Sequence, residues 1–208
     1  MAMSRLPPFH LPVEVNAQNV RVRIRPITPA DRERVLRGLR QISKETSYHR
    51  FFTPRFVPSE AQLRYLTEVD GDRHVALAAV NADDPSEPGL GAARYVRLKE
   101  EPDVAEAAIL VIDEYQRHGV GALLMAALSR HAYENGVRAF RAYVMQENDA
   151  FLDYLRSLGA TREIVNMGVV EIDLPVYANA EDFPETPVHD RVRWAWRALN
   201  EALVEKEV

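Results

Sequence analysis

Hydrophobic and polar positions along the chain follow two periods, and the places where the period changes divide it into elements. Val20-Arg21-Val22-Arg23-Ile24-Arg25 alternates strictly, as a half-buried strand does. Thr28-Pro29-Ala30-Asp31 then signals a helix start, with a capping Thr, Pro at the first helical position and an acid in the first turn. Val35, Leu36, Leu39 and Ile42 supply the apolar stripe of that helix. Ser59-Glu60-Ala61-Gln62 is a capping box ahead of Leu63, Leu66 and Val69. From His74 the texture becomes that of strands, 74–81, 90–98 and 104–112, separated by turn-forming Asp-Pro-Ser-Glu-Pro-Gly and Glu-Glu-Pro-Asp, which predicts a meander.

Val120, Leu123, Leu124, Ala127, Leu128 and His131 recur at helical spacing until Asn135-Gly136 stops them. A strand over 138–145 follows, then a helix from about 149 to 158 closed by Gly159, strands over 161–166 and 168–174, and a last helix starting near Val188. Residues 1–19 read as an extended arm. This order of elements predicts a mixed α/β fold, with an arm, a domain over 20–175 and an extension over 176–208 that carries an amphipathic helix.

Composition narrows the class without naming it. A chain of 208 residues with 47% hydrophobic and 27% charged content can bury one core, so one globular domain is expected. With no Cys there is neither disulfide nor thiolate nucleophile, and His10, His49, His74, His131 and His189 show no metal-ligand spacing. No apolar run is long enough to span a bilayer, and the Pro-rich N-terminus lacks a signal-peptide core, so no membrane partner and a cytoplasmic location are expected. A net charge of -5 argues against general nucleic-acid binding, although 21–64 is rich in Arg.

The chemistry concentrates between Ile109 and Ala122. A β-branched apolar stretch breaks into Gln116-Arg117-His118-Gly119-Val120-Gly121 just where the helical pattern begins, so the segment reads as strand, phosphate loop and helix. Glycines at 119 and 121 let backbone approach a ligand without Cβ interference, and free N–H groups at a helix N-terminus bind anions. The loop lacks the Lys-Ser/Thr ending of a Walker A motif and the third glycine of a dinucleotide fingerprint.

Its spacing resembles the Gln/Arg-x-x-Gly-x-Gly/Ala signature of the GNAT acyltransferases, and the order of elements from about 20 to 175 is similar to that family's. Asn148 to Ala160, an Asn-led helix ending in Leu-Gly-Ala, resembles a second family segment. Within the family, SKETSYHRFF (43–52), AEAAILV (105–111) and the closing VVEIDLP look like the catalytic domain of the bacterial Pat-type protein lysine acetyltransferases, the mycobacterial cyclic-AMP-regulated enzyme among them. The 208 residues are expected to lack that enzyme's regulatory domain, so regulation by cyclic AMP is not implied.

The resemblance implies a GNAT fold, a mostly antiparallel sheet splayed at the cofactor site with helices on its flanks. It also implies acetyl-CoA, with the pyrophosphate on Gln116, Arg117, His118, Gly119, Val120, Gly121 and Ala122, and backbone N–H groups of Ile109, Leu110 and Val111 meeting the thioester and pantetheine. His118 is expected to be solvated, and Asn148 can cap its helix or contact the cofactor. A lysine amine is almost fully protonated at neutral pH and cannot attack a carbonyl until a base removes the proton. Glu106 matches the glutamate to which Pat-like enzymes give that role; its bland alternative is a surface strand residue paired with an Arg.

Many small-molecule members carry a Tyr acid where this chain has Leu155, and Tyr154 is about 100° away around the helix. Ser47, Tyr48, Arg50, Phe51 and Phe52 are expected over the acceptor side, the two Phe as helix-to-sheet packing. Three functions follow: a protein lysine acetyltransferase, a small-molecule amine acetyltransferase, or a non-catalytic acyl-CoA sensor, as monomer or homodimer.

Overall fold

The computed structural model describes residues 9–186 and 189–204. Among them, eight strands form one sheet in the order β1-β2-β3-β4-β5-β6-β8-β7. These are β1 (Val13–Ala17), β2 (Val20–Pro26), β3 (His74–Asn81), β4 (Gly89–Arg97), β5 (Val104–Val111), β6 (Ala139–Met145), β7 (Arg162–Asn166) and β8 (Val169–Pro175). Every neighbouring pair is antiparallel except β5 and β6, which run parallel. The expected meander is therefore present as β3-β4-β5. Part of the expected arm is itself edge strand β1, paired with β2, while residues 1–8 lie outside the described part.

Alternation along the strands gives the sheet two unequal faces. Val75, Leu77 and Ala79 of β3 and Ala93 and Tyr95 of β4 point into the main core, which α4 (Val120–Glu134) and α6 (His189–Val204) cover. Leu123, Leu124, Ala127 and Leu128 of α4 are wholly buried there, and Val192, Ala195, Trp196, Leu199 and Leu203 of α6 form one apolar stripe against it. That stripe docks α6 on its own domain, against α4 and β1. The expected start near Val188 lies outside the described residues.

The opposite face carries small side chains, with Ala76, Ala78 and Val80 joined by Ile27 in a second, smaller cluster against which Val69 and Ala92 pack. Over it lie α1 (Arg32–Gln41), α2 (Lys44–Phe51) and α3 (Glu60–Thr67). A capping box of Ser59 and Gln62 opens α3 as its sequence predicts. The apolar stripe of α1 is only half-buried, because the small sheet residues beneath it leave a gap and not a packed interface. What anchors α1 is polar: Asp31, 2% exposed, accepts from the Thr28 amide at 2.9 Å and pairs with Arg25 of β2 at 2.8 Å and with Arg34. Helix α5 (Asp149–Ser157) follows β6 and ends at Gly159, whose φ of +91° is in the left-handed region that glycine adopts freely.

Candidate active site

The sheet splits where the two parallel strands meet. β5 pairs with β4 from Ala105 to Val111, but with β6 only through Val104, Ala105 and Glu106. Past Glu106 the strands part, β6 staying with β8 up to Met145. One backbone edge of β5 is left without a strand partner over 107–111. Ile112 donates to the Leu90 carbonyl, which puts the even residues of β5 in hydrogen-bonded pairs with β4 and turns the peptide groups of the odd residues to the fork. Ile109 and Val111 therefore offer backbone to a ligand in the fork. Leu110, expected to do the same, does not: its peptide groups face β4.

At the mouth of the fork sits the loop 116–119. Arg117 and Gly119 have φ of 64° and 91°, so two left-handed residues flank His118, and the chain turns into α4 with no side-chain cap. A non-glycine residue such as Arg117 holds that conformation at a cost of about 1 kcal/mol or more. The amides of Val120, Gly121 and Ala122, at the first open turn of α4, have no intrahelical acceptor, and the first closed bond runs from Leu123 to Gly119 at 3.0 Å. This is an anion-binding concavity at a helix N-terminus. A Cβ built on Gly121 would meet Val111 Cγ2 at 3.5 Å and Ile109 Cδ1 at 3.8 Å, so that position looks straight at the splayed strand.

Two side chains of the loop, Gln116 and His118, are engaged within the protein. Gln116 Nε2 donates to the Val111 carbonyl at 3.2 Å and to Thr46 Oγ1 at 3.3 Å, tying the loop to the strand end and to α2. Asp113 completes the tie, accepting from the Ser43 amide at 3.0 Å and the Thr46 hydroxyl at 2.9 Å. His118, expected to be solvated, is half-buried and its Nδ1 lies 2.8 Å from the Gln116 carbonyl, an acceptor that requires the proton on Nδ1. Asn148 accepts from the Phe151 amide at 3.3 Å, the capping role. Leu155 is buried, and Tyr154 lines a small cavity with Phe140 and Trp196, level with the part of β6 that precedes the parting of the strands.

Glu106 is the last residue of β5 paired to β6, and it is exposed. Its register partner Arg141 does not neutralise it: that guanidinium is held by Asp173 at 2.8 and 2.9 Å and by Glu101 at 2.6 Å. Among the described residues Glu106 makes no ion pair, and its charge acts at longer range on Arg50 and Tyr143. The Glu106 carboxylate thus stands at the fork, on the face that α2 covers, without an ion-pair partner among the described residues.

The acceptor-side residues divide in two. Ser47 is structural, its buried hydroxyl donating to the Thr53 carbonyl at 2.9 Å and accepting from the Phe56 amide at 3.0 Å. Phe51 stacks on Phe56 with ring centres 4.0 Å apart, whereas Phe52 does not pack as expected; it closes α2 with φ of 58° and is 46% exposed. Tyr48 comes near Glu147, just past β6. Arg50 opens onto a cleft between α1, α2 and the sheet, together with Arg94, Ala108 and Leu110. Two features carry no signal in the sequence: this cleft, and Trp194 of α6, whose ring comes within 2.8 Å of a Cβ built on Gly119 and so walls the phosphate loop. Both depend on contacts between segments far apart in the chain.

Comparison with known proteins agrees with this geometry. The sequence pattern of the acetyltransferase (GNAT) domain matches residues 21–161. A Mycolicibacterium smegmatis protein named acetyltransferase Pat is 35% identical over 206 residues, covering 98% of this chain and 60% of the relative, so the chain spans about 60% of that relative's length. Acetyltransferase PA5475 of Pseudomonas aeruginosa is 32% identical over 138 residues, 66% of this chain and 74% of its own. The crystal structure of the GNAT domain of S. lividans PAT superposes with a TM-score of 0.71 at 30% identity, covering 81% of this chain and 98% of that one.

Proposed function

Starting from the fact that the chain belongs to the GNAT acetyltransferase family, we propose that it moves the acetyl group of acetyl-CoA onto a lysine amine of a protein, with Glu106 as the base. The observation that carries this reading is the unpaired Glu106 carboxylate at the point where β5 and β6 separate. The likeness to proteins named acetyltransferase Pat supports the lysine acceptor.

The residues of this chain divide the work. The amides of Val120, Gly121 and Ala122 hold the pyrophosphate, where the helix dipole favours negative charge. Fork-facing amides of Ile109 and Val111 donate to the pantetheine and to the thioester oxygen, on which charge grows during attack. Glu106 takes a proton from the acceptor ammonium, directly or through a water, and the freed lone pair attacks the thioester carbonyl. The C–N bond forms, the attacking nitrogen gives its second proton to solvent as the C–S bond breaks, and the departing thiolate takes up a proton from solvent. Position 155 is a buried Leu and Tyr154 lines a small cavity with Phe140 and Trp196, so this reading assigns no tyrosine of α5 as acid.

The test is an acceptor assay with labelled acetyl-CoA, comparing folded acyl-CoA synthetases with polyamines and amino sugars. Label on a defined lysine of the proteins, at rates well above those of the small amines, is the expected result. The reverse order would make this a small-molecule acetyltransferase, and binding of acetyl-CoA without turnover on any amine would make it a sensor.

A further inference from the structure

Of the three guanidinium groups that line the cleft beside Glu106, two, Arg50 and Arg94, have no carboxylate to match them among the described residues. Arg94, on β4, is 8% exposed, and its donors reach the Leu66 carbonyl at 2.9 Å, the Tyr65 carbonyl at 3.4 Å and His74 Nε2 at 3.2 Å. Arg50 enters the same cleft from α2, its guanidinium 5.0 Å from the centre of the Phe51 ring, and among the described residues it makes no hydrogen bond or ion pair. The one acid lining the cleft, Asp31, is already held by Arg25, by Arg34 and by the Thr28 amide. Arg34 in turn is committed to Asp31 and to the Glu87 carbonyl at 2.6 Å. Glu106 acts on Arg50 from beyond ion-pair distance.

Two neighbouring cations in a mostly apolar cleft are costly unless an anion comes between them. Burial, and then Arg50, push the Arg94 pKa down to about 10, which reports the same missing countercharge. The two groups also differ in a telling way. Arg94 holds the end of α3 through its carbonyls and so has a structural task, whereas among the described residues none accepts from the donors of Arg50.

We propose that the acceptor carries a carboxylate as well as its amine, and that Arg50, with Arg94 beside it, binds that carboxylate while Glu106 faces the amine. The strand register sets the separation of Glu106 from Arg94. Arg94 stands opposite Ala108 on β4 and β5, and Glu106 is two residues before Ala108 on the same face. Such diagonal neighbours have side chains about 7–8 Å apart, and Ala108 between them is small enough to leave the path open. A lysine next to an acidic residue, or a free amino acid, fits that span. This inference rests on the acetyl-transfer reading and adds the chemical class of acceptor to it.

Matched acceptors that differ only in the carboxylate test it: Nα-acetyl-lysine against its amide, and peptides with Glu or Gln beside the lysine. Each pair is assayed at saturating acetyl-CoA with the full chain and with Arg50→Gln and Arg50→Lys. A charge-assisted hydrogen bond of about 1.5–3 kcal/mol predicts a kcat/KM ratio of roughly 10 to 100 in favour of the carboxylate member. The ratio falls towards 1 in Arg50→Gln and is partly kept in Arg50→Lys. Because each ratio is taken within one protein, a general loss of activity cancels.

Calorimetric binding of the same pairs to the CoA-saturated protein gives the same comparison without turnover. Equal ratios in the wild-type chain, or a preference that survives Arg50→Gln, would overturn the proposal. So would an Arg50→Gln effect confined to succinyl-CoA against acetyl-CoA, since that places the carboxylate on the donor. Binding of acetyl-CoA itself, measured on the same samples, reports separately on the acetyl-transfer reading.

Discussion

Glu106 is the residue whose role is most exposed to test. Its freedom from any ion pair among the described residues, while Arg141 opposite it is fully engaged, is hard to explain for a strand residue with only a structural task. Glu106→Gln keeps the shape and removes the proton acceptor, so the chemical step is expected to fall by about 10² to 10⁴ near neutral pH. The loss shrinks towards pH 10, where a lysine acceptor arrives deprotonated. Steady-state rates from pH 6 to 10 at saturating acetyl-CoA measure this, and a variant with wild-type rates throughout would send the search for the base elsewhere. Gly121 gives a second probe at this scale. Because a Cβ there meets only ordinary contacts, Gly121→Val is expected to keep the fold yet lose acetyl-CoA affinity at least tenfold by titration calorimetry. Gly119 could not serve, since its φ and the Trp194 ring both oppose a side chain.

Among the elements, α1 shows what holds the acceptor face together. It lies over small sheet residues with a half-buried stripe, so Asp31 and its arginines carry much of its attachment. Burial alone raises the Asp31 carboxyl, but the hydrogen bonds from Arg25 and Thr28 and the nearby charges outweigh it, and the net shift is well below the usual carboxylate range. A folded pKa lowered in this way stabilises the protein above the unfolded value near 4, and that contribution fades as pH falls below it. Asp31→Asn is therefore expected to cost about 3 kcal/mol at pH 7, the lower end for a broken buried pair because Arg25 and Arg34 keep Glu87 nearby. The difference from wild type should be visibly smaller at pH 3, as urea midpoints at the two pH values would show. An unchanged difference would mean that packing, not charge, holds α1.

Over the whole molecule, the fork, the loop and α6 behave as one preformed site. β5 is fixed by β4, α4 is fixed by the core, and the loop between them is pinned by Gln116, His118 and Trp194. Acetyl-CoA that binds only this folded arrangement raises stability by mass action, about 2.7 kcal/mol at a hundred times Kd. A rise in Tm that grows with the logarithm of acetyl-CoA concentration is the expected outcome of thermal unfolding. No shift at saturation, in a sample that unfolds cooperatively, would remove the cofactor assignment.

How much of this the chain declares in one dimension follows from the range of the interactions involved. Period-two and helical patterns, the Ser59-Gln62 capping box, the stop at Asn135-Gly136 and the two-glycine loop are local, set by neighbours within a few residues, and each appears in the structure near its expected place. The strand inside the supposed arm was hidden because β1 earns its ordering only by pairing with β2. The early parting of β5 from β6, the turning of Leu110 peptide groups to β4, and the diversion of Arg141 to Asp173 depend on which strand lies beside which. Glu106 and the glycines could be singled out as residues, but that Glu106 is unpaired, that Trp194 borders Gly119, and that Arg50 and Arg94 share one cleft arose only when segments up to 75 positions apart were packed together.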